Sequence, residues 1–178
     1  MKADDVIQII RKGKMELLKE TISRIGELHT DKMEEARVKL DNLLKPQGSL
    51  GTLEDIARRL SGITGNLDNS FKKKCLIVMG GDNGIVKEGV TSFPKDVSIL
   101  VAETMVKGIS GVAVLARHAG AELKVVDLGL DGEVKAEGII NRKIRKGTDS
   151  FLRGPAMSIE DTVKAIETGI EITEESIR

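Results

Sequence analysis

Two short segments that look like β-strands, separated by helical periodicity, constrain the fold of this chain most. Cys75–Met79 is a continuous apolar run with β-branched residues, which favours a strand buried on both faces, and Glu122–Leu128 is the second such segment. Between them the sequence predicts a helix from Pro94 to Gly108 and another over Gly111–Arg117. Strands joined by a helical crossover pair in parallel with a right-handed connection. We therefore expect an α/β fold.

The remainder of this region extends the same pattern. Asn141–Arg145 is predicted to be a further short strand, and Ser158 and Asp161 form a capping box that begins another helix. The predicted apolar faces are Val97, Leu100, Val101 and Met105 in the helix from Pro94, and Ile159, Val163, Ile166 and Ile170 in the helix from Ser158. A parallel sheet needs helices on both faces and normally more strands than these. We therefore expect self-association or a second chain to complete the layer.

The first third of the sequence differs in character. Residues 1–64 show helical periodicity without a recognisable strand, and Lys45-Pro46 is predicted to end the second helix. Ser49 and Thr52 are candidate caps for a third helix. We expect a helical subdomain over residues 1–64 and an α/β domain over residues 65–178.

Composition excludes several classes of function. The 178 residues carry 28 basic and 28 acidic side chains, so no charged field favours nucleic acid or an anionic membrane. The aromatic residues are three Phe, too few for a base-stacking platform. With two His and the single Cys75, read as an inert core residue, the sequence offers no convincing metal or cofactor ligand set. No apolar run of about 20 residues is evident in the sequence, so a cytoplasmic protein is expected.

The segment 80–94 carries the candidate site, because ligands of open α/β sheets bind at the carboxyl ends of strands. Asp82 follows the first strand and Asp127 ends the second, so both are expected near each other as acceptors for hydroxyl or ring N–H groups. Thr91 and Phe93 offer a hydroxyl and an aromatic face. The glycines that would permit close approach of a ligand are Gly80, Gly81 and Gly84. This pattern favours a small pocket for a neutral ring or a sugar.

Simpler interpretations remain open at this point. Glycines around an Asp-Asn pair also form plain tight turns, and Asp127 is equally consistent with a turn cap. The segment has neither the GxxxxGK[ST] spacing of a phosphate loop nor a GxGxxG dinucleotide pattern. A polyphosphate or dinucleotide ligand is therefore not expected.

Several longer motifs resemble one family. Leu40–Glu54, LDNLLKPQGSLGTLE, resembles the signature LDNLTKPPGSLGRLE of the nicotinate-nucleotide:dimethylbenzimidazole phosphoribosyltransferases. The other similar segments are Asp82–Ile85 and Glu88–Pro94 (DHGV and EGVSAYP in the family), Gly111–Arg117 with Val126–Gly129 (GAAINVLAR and VVDVG), and Lys146–Thr148 with Gly154–Ser158 (GT and PAMT). The resemblance is collinear over about residues 20–178.

The resemblance implies a Rossmann-like parallel sheet, here a partial one, with a small helical domain in a usually dimeric protein. Its members transfer phosphoribose from nicotinate mononucleotide to a benzimidazole nitrogen in cobalamin lower-ligand synthesis. It implies a base pocket formed by Asp82, Asn83, Thr91, Phe93 and Leu100, and substrate contacts from Gly81, Gly84 and Asp127. Asn83 stands where the family has His, and Leu100 where it has Gln.

The resemblance also implies functional groups outside this sequence. The family is about twice as long, its phosphate loop GEMGIGNTT would begin soon after Arg178, and its general-base Glu lies near its C-terminus. No catalytic residue is therefore assigned within the chain. Two hypotheses follow: a transferase half that needs a partner polypeptide, or a non-catalytic relative, which is either a base-binding or regulatory module or an inactive fragment of the family.

Overall fold

A computed structural model describes residues 15–94 and 96–177, and the chain divides into two compact units. One is Ser23–Lys72, and the other combines Met1–Ile22 with Lys73–Arg178. The first helix, α1 (Glu16–Ser23), thus falls mostly in the α/β unit rather than in a helical unit over residues 1–64. Within that unit the backbone N–H of Leu18 donates to Oε1 of Glu167 at 3.2 Å. The part of the predicted helical region that falls in residues 1–14 lies outside the described residues.

The helical unit is built on α2 (Thr30–Asp41) and α3 (Thr52–Thr64), which pack against each other. A small residue allows α2 and α3 to approach each other closely, because a Cβ added to Gly62 would lie 2.6 Å from Cγ of Met33. Ala36 is buried within the same unit. Helix α2 ends at Asp41, before the predicted stop at Lys45-Pro46. Neither Ser49 nor Thr52 caps α3 as predicted. The residue at the N-cap position is Gly51, and no side chain makes a capping hydrogen bond there.

The signature segment between α2 and α3 is closed by an ion pair. Nζ of Lys45 lies 2.8 Å from Oε1 of Glu54, and that oxygen also accepts the backbone N–H of Leu50 at 3.1 Å. Hydrogen bonds from Lys45 and then from Leu50 lower the pKa of the Glu54 carboxyl group. The Lys and Glu of the signature therefore join the start of the loop to the first turn of α3.

The Lys45–Glu54 pair generates a pH-dependent prediction. The carboxyl pKa is lower in the folded chain than in the unfolded chain, so the stabilisation is fully present above the unfolded-state pKa of about 4.3. It is lost as pH falls through the folded-state pKa. We expect Glu54→Gln to lower the melting temperature at pH 7 and to have little effect in acid, measured by circular dichroism.

The matched control is Glu35→Gln, which removes a carboxylate from the more exposed Lys32–Glu35 pair, where Glu35 is 48% exposed. Exposed pairs contribute little to stability, so this control should hardly change the melting temperature at either pH. An equal loss in Glu54→Gln at neutral and acidic pH would contradict the assignment.

The α/β unit contains, among the described residues, the parallel strands β1 (Cys75–Gly81), β2 (Glu122–Gly129) and β3 (Ile139–Asn141), in the order β1-β2-β3. The predicted parallel crossover is confirmed, with Val78 opposite Val125 in the β1–β2 register. Strand β3 ends at Asn141, where the sequence predicts a strand to begin.

The crossover consists of α4 (Val97–Val106) and α5 (Gly111–His118), both of which contact β2. The core beneath α4 is formed by Ala102, Val125 and Leu130, with other partly buried side chains around it. The predicted face of α4 is wrong in part, because Leu100 is 60% and Val101 41% exposed. This helix is apolar on nearly every side, so periodicity could not identify the buried face.

Strand β1 is not buried on both faces as predicted. Cys75 is exposed, and Leu76 and Met79 are 38% and 37% exposed. The reason is topological, since β1 pairs only with β2 in the described part of the chain and forms an edge of the sheet. An apolar run of this kind cannot by itself distinguish a central strand from an edge strand.

The last helix, α6 (Ile159–Ile177), begins as the capping box predicts. Oγ of Ser158 accepts the backbone N–H of Asp161 at 3.0 Å. Val163 and Ile172 are buried, whereas Ile159 and Ile166 of the predicted face are 40% and 44% exposed. The start of the helix was therefore predicted better than its packing.

Within residues 15–94 and 96–177 one stretch, Val97–His118, is long and apolar enough by composition to cross a membrane, contrary to the expectation from the sequence. It consists of α4 and α5, which the turn at Gly108–Ser110 separates. Ala102, Ala113 and Ala116 are buried in this stretch. We interpret it as the helical layer that packs on the sheet.

Candidate functional site

A cavity of about 480 Å³ lies at the carboxyl ends of the strands in the α/β unit. Its walls come from the segments that follow β1, β2 and β3. The lining residues are Gly81, Asp82, Asn83, Gly84, Val86, Lys87, Thr91, Phe93, Pro94, Val97, Ser98, Asp131, Lys146, Gly147 and Thr148. The volume falls in the range of small-molecule sites in proteins, about 300–1,000 Å³.

Backbone hydrogen bonds tie these segments together. The N–H of Asp82 donates to the carbonyl of Gly129 at 3.0 Å, and so does the N–H of Gly147 at 3.0 Å. The N–H of Thr148 donates to the carbonyl of Asp82 at 2.9 Å. The segments after all of the described strands are therefore held in one arrangement, which fixes the cavity walls.

Gly84 is required where the first and third segments meet. A Cβ at this position would overlap the carbonyl oxygen of Thr148 and lie 2.5 Å from the carbonyl carbon of Asp149. The backbone N–H of Gly84 donates to Oγ1 of Thr148 at 3.0 Å. This close approach explains why residue 84 is a glycine. The sequence pattern alone was consistent with either a tight turn or a binding site.

The cavity combines an apolar wall with polar groups. Phe93, which is 71% exposed, lies with Val86 and Val97 on the apolar part. Oδ2 of Asp82 accepts the backbone N–H of Asp131 at 2.7 Å, which fixes the orientation of that carboxyl group. Oγ1 of Thr91 accepts the backbone N–H of Phe93 at 3.2 Å, so the hydroxyl proton remains able to donate.

The charges along the cavity are balanced. Lys87 and Lys146 line it together with Asp82 and Asp131. Among residues 15–94 and 96–177, His, Cys, Asp and Glu side chains do not gather in groups of three that could hold a metal ion. The arrangement is suited to a neutral ring with polar edges.

The structure brings most of the predicted site residues together. Asp82, Asn83, Thr91 and Phe93, predicted to contact a base, all line the cavity, as do Gly81 and Gly84. Their contact with a ligand remains a prediction.

Asp127 and Leu100 are placed elsewhere. Asp127 is 2% exposed, its Oδ1 accepts the N–H of Leu130 at 2.9 Å, and its Oδ2 lies 3.1 Å from Nζ of Lys143. Leu100 is 60% exposed on α4 and does not belong to the cavity lining. The predicted base contact of Leu100 and substrate contact of Asp127 therefore gain no support from their positions.

Sequence reasoning missed Asp131 and the Lys146–Thr148 segment as parts of the wall. A signal was present, because Asp131 follows the second strand and Lys146–Thr148 belongs to a segment that matched the family motif. The sequence also placed the third strand at 141–145, whereas β3 spans Ile139–Asn141, so its carboxyl end lies four residues earlier than predicted.

Comparison with known proteins then identifies the family. A family model described as a phosphoribosyltransferase matches residues 25–178. The chain belongs to this phosphoribosyltransferase family. The resemblance found in the motifs is thereby confirmed.

Similar proteins carry a more specific name. The nicotinate-nucleotide–dimethylbenzimidazole phosphoribosyltransferase of Ruminiclostridium cellulolyticum is 51% identical over 86% of this chain and 44% of its own length. That of Acetivibrio thermocellus is 46% identical over 89% of this chain and 45% of its own. The chain thus spans about half the length of the phosphoribosyltransferases it matches.

Solved structures agree with this assignment. The crystal structure of the phosphoribosyltransferase of the same name from Thermus thermophilus matches with a TM-score of 0.76 and 31% identity, over 83% of this chain and 45% of the other. A second structure from this organism, of the protein called CobT, matches with the same TM-score and identity and covers 44% of that chain. The α/β fold is thereby confirmed.

The site generates a prediction at Gly84. We expect Gly84→Ala to lower the free energy of unfolding by about 1–3 kcal/mol, because an added methyl group in a packed contact forces the backbone apart. Chemical denaturation followed by circular dichroism measures the change. Gly111→Ala is the matched control, since a Cβ there would meet nothing within 4 Å. Equal stability of the two variants would show that the close approach is not rigid.

Proposed function

We propose that the cavity binds the aromatic base that accepts phosphoribose in a nicotinate-nucleotide–dimethylbenzimidazole phosphoribosyltransferase. One observation carries the proposal: segments that match the family motifs far apart in the sequence, 82–94 and 146–148, line the same cavity. The names of the similar proteins supply the substrate class, a benzimidazole and a nicotinate nucleotide.

The cavity walls fit a flat heterocycle. The exposed ring of Phe93 offers a face for stacking, and Val86 and Val97 exclude water beside it. The fixed carboxyl group of Asp82 accepts a ring N–H, and the Thr91 hydroxyl donates to a ring nitrogen. Together these contacts would hold the plane of the base and select which nitrogen is presented for reaction.

The reaction needs more than a bound base. One ring nitrogen attacks C1′ of nicotinate mononucleotide, the C1′–N bond to nicotinate breaks, and the proton of the attacking heterocycle passes to a general base. We assign Asp82, Thr91 and Phe93 to holding the acceptor base. The proton acceptor and the phosphate anchor are expected in sequence that corresponds to the remaining length of the relatives.

Location and association also remain proposals. We infer a cytoplasmic enzyme of cobalamin lower-ligand synthesis that acts on small molecules and associates with a second copy or with a chain that supplies the C-terminal half. The exposed edge strand β1 supports the association, because unpaired strand edges are usually covered.

Binding of 5,6-dimethylbenzimidazole to the chain tests the proposal, with isothermal titration calorimetry as the measurement. We expect Phe93→Ala to weaken binding about 5- to 150-fold, since stacking on an aromatic side chain contributes about 1–3 kcal/mol. Phe151→Ala is the control, because Phe151 is similarly exposed, at 62%, and lies outside the cavity lining. Equal losses in both variants, or no binding by the unmodified chain, would refute the base site.

Nicotinate release separates a transferase from a binding module. The chain is supplied with nicotinate mononucleotide and dimethylbenzimidazole, and free nicotinate is quantified against a control without protein. We expect base binding without release from these 178 residues. Release well above the control would mean that a residue within the chain acts as the general base.

A further inference from the structure

Lys143 lies outside the cavity lining, and its side chain is only 19% exposed. Its Nζ donates to the carbonyl of Leu130 at 2.7 Å and to the carbonyl of Gly132, and it lies 3.1 Å from Oδ2 of Asp127. An ammonium group has three N–H donors, so these acceptors match its full capacity. A flexible surface lysine would not be held in this way.

These bonds clamp the segment that follows β2. Asp127, which is 2% exposed, accepts the N–H of Leu130 through Oδ1, so Leu130 is held at its N–H by Asp127 and at its carbonyl by Lys143. The carbonyl of Gly132 is held by the same ammonium group. Asp131 lies between the two clamped carbonyls.

The clamped segment leads directly to the cavity. The backbone N–H of Asp131 donates to Oδ2 of Asp82 at 2.7 Å, and both residues line the cavity. A chain of contacts therefore runs from Lys143 through residues 130–132 to the carboxyl group of Asp82. Rotation of the peptide between Leu130 and Asp131 would move that N–H away from Asp82.

We propose that Lys143 is a positioning residue of the base site: by clamping residues 130–132 it aims the Asp131 N–H that orients the Asp82 carboxyl group. The identity of the ligand rests on the proposed function, whereas the clamp itself does not. Asp127 belongs to the same clamp, because it pairs with Lys143 and accepts the N–H of Leu130.

Lys143→Met tests the inference in the full chain, because Met keeps much of the apolar stem and removes every donor. We expect affinity for dimethylbenzimidazole to fall about tenfold, and exchange of the Leu130 and Asp131 amide protons to become at least about tenfold faster. Lys135→Met is the matched control, since Lys135 is exposed and, together with Lys143, lines a second cavity of about 390 Å³ but not the cavity of the base site. Its affinity and exchange should stay within about twofold of the unmodified chain.

Coupling to Asp82 distinguishes positioning from a general loss of stability. In an Asp82→Ala background, Lys143→Met should change the base affinity by less than about twofold, because the group that it positions is gone. An undiminished tenfold loss in that background, or unchanged affinity and exchange in the folded single variant, would overturn the inference.

A second variant covers the case in which Lys143→Met fails to fold with Asp127 buried and unpaired. The double change Asp127→Asn and Lys143→Met removes both charges and leaves an amide oxygen to accept the Leu130 N–H. We expect it to fold and to show the same loss of affinity and faster exchange; a folded double variant with normal values overturns the inference. If the unmodified chain binds no base, the proposed function fails, and amide exchange alone then decides whether Lys143 is the clamp.

Discussion

The contact of the Gly84 backbone with the backbone of Thr148 and Asp149 is the constraint on which the candidate site depends. It joins residues more than sixty positions apart, and it is possible only because a side chain is absent at Gly84. Backbone hydrogen bonds from Asp82 and Gly147 to Gly129 extend the contact across the sheet. The shape of the cavity therefore follows from the pairing of parallel strands, since the strand ends bring these segments within reach of one another.

Two pairs of charged residues in this chain hold the backbone of loops in place. Lys45 and Glu54 close the loop that carries the most specific motif of the sequence, and Lys143 and Asp127 hold the segment behind the cavity. In each pair the acidic partner also accepts a backbone N–H, from Leu50 in one case and from Leu130 in the other. A side chain within a specific motif can therefore owe its identity to loop closure rather than to substrate contact.

The sequence predicted the fold where the physical signal was local. The parallel crossover followed from strand-like runs on either side of a helical stretch, and the start of α6 followed from Ser158 and Asp161. Burial was predicted less well, because it depends on partners that a local pattern does not contain. Helix α4 is apolar on most sides, and β1 looks the same in sequence whether it lies inside a sheet or at its edge.

The candidate site, like the fold, was predicted only in part. The segment after β1 was predicted because its glycines, carboxylate and aromatic ring stand together in sequence. Asp131 was recognised only from the structure, in which the ends of the strands bring it to the same cavity.

The cavity lies at the carboxyl end of β1, and the other end of the strand is remote from it. Cys75, the single cysteine of the sequence, is exposed at the end opposite the cavity, about 20 Å from Gly81 at the rise of an extended strand. A fluorophore attached to this thiol would therefore report whatever covers the sheet edge while remaining remote from a ligand in the cavity.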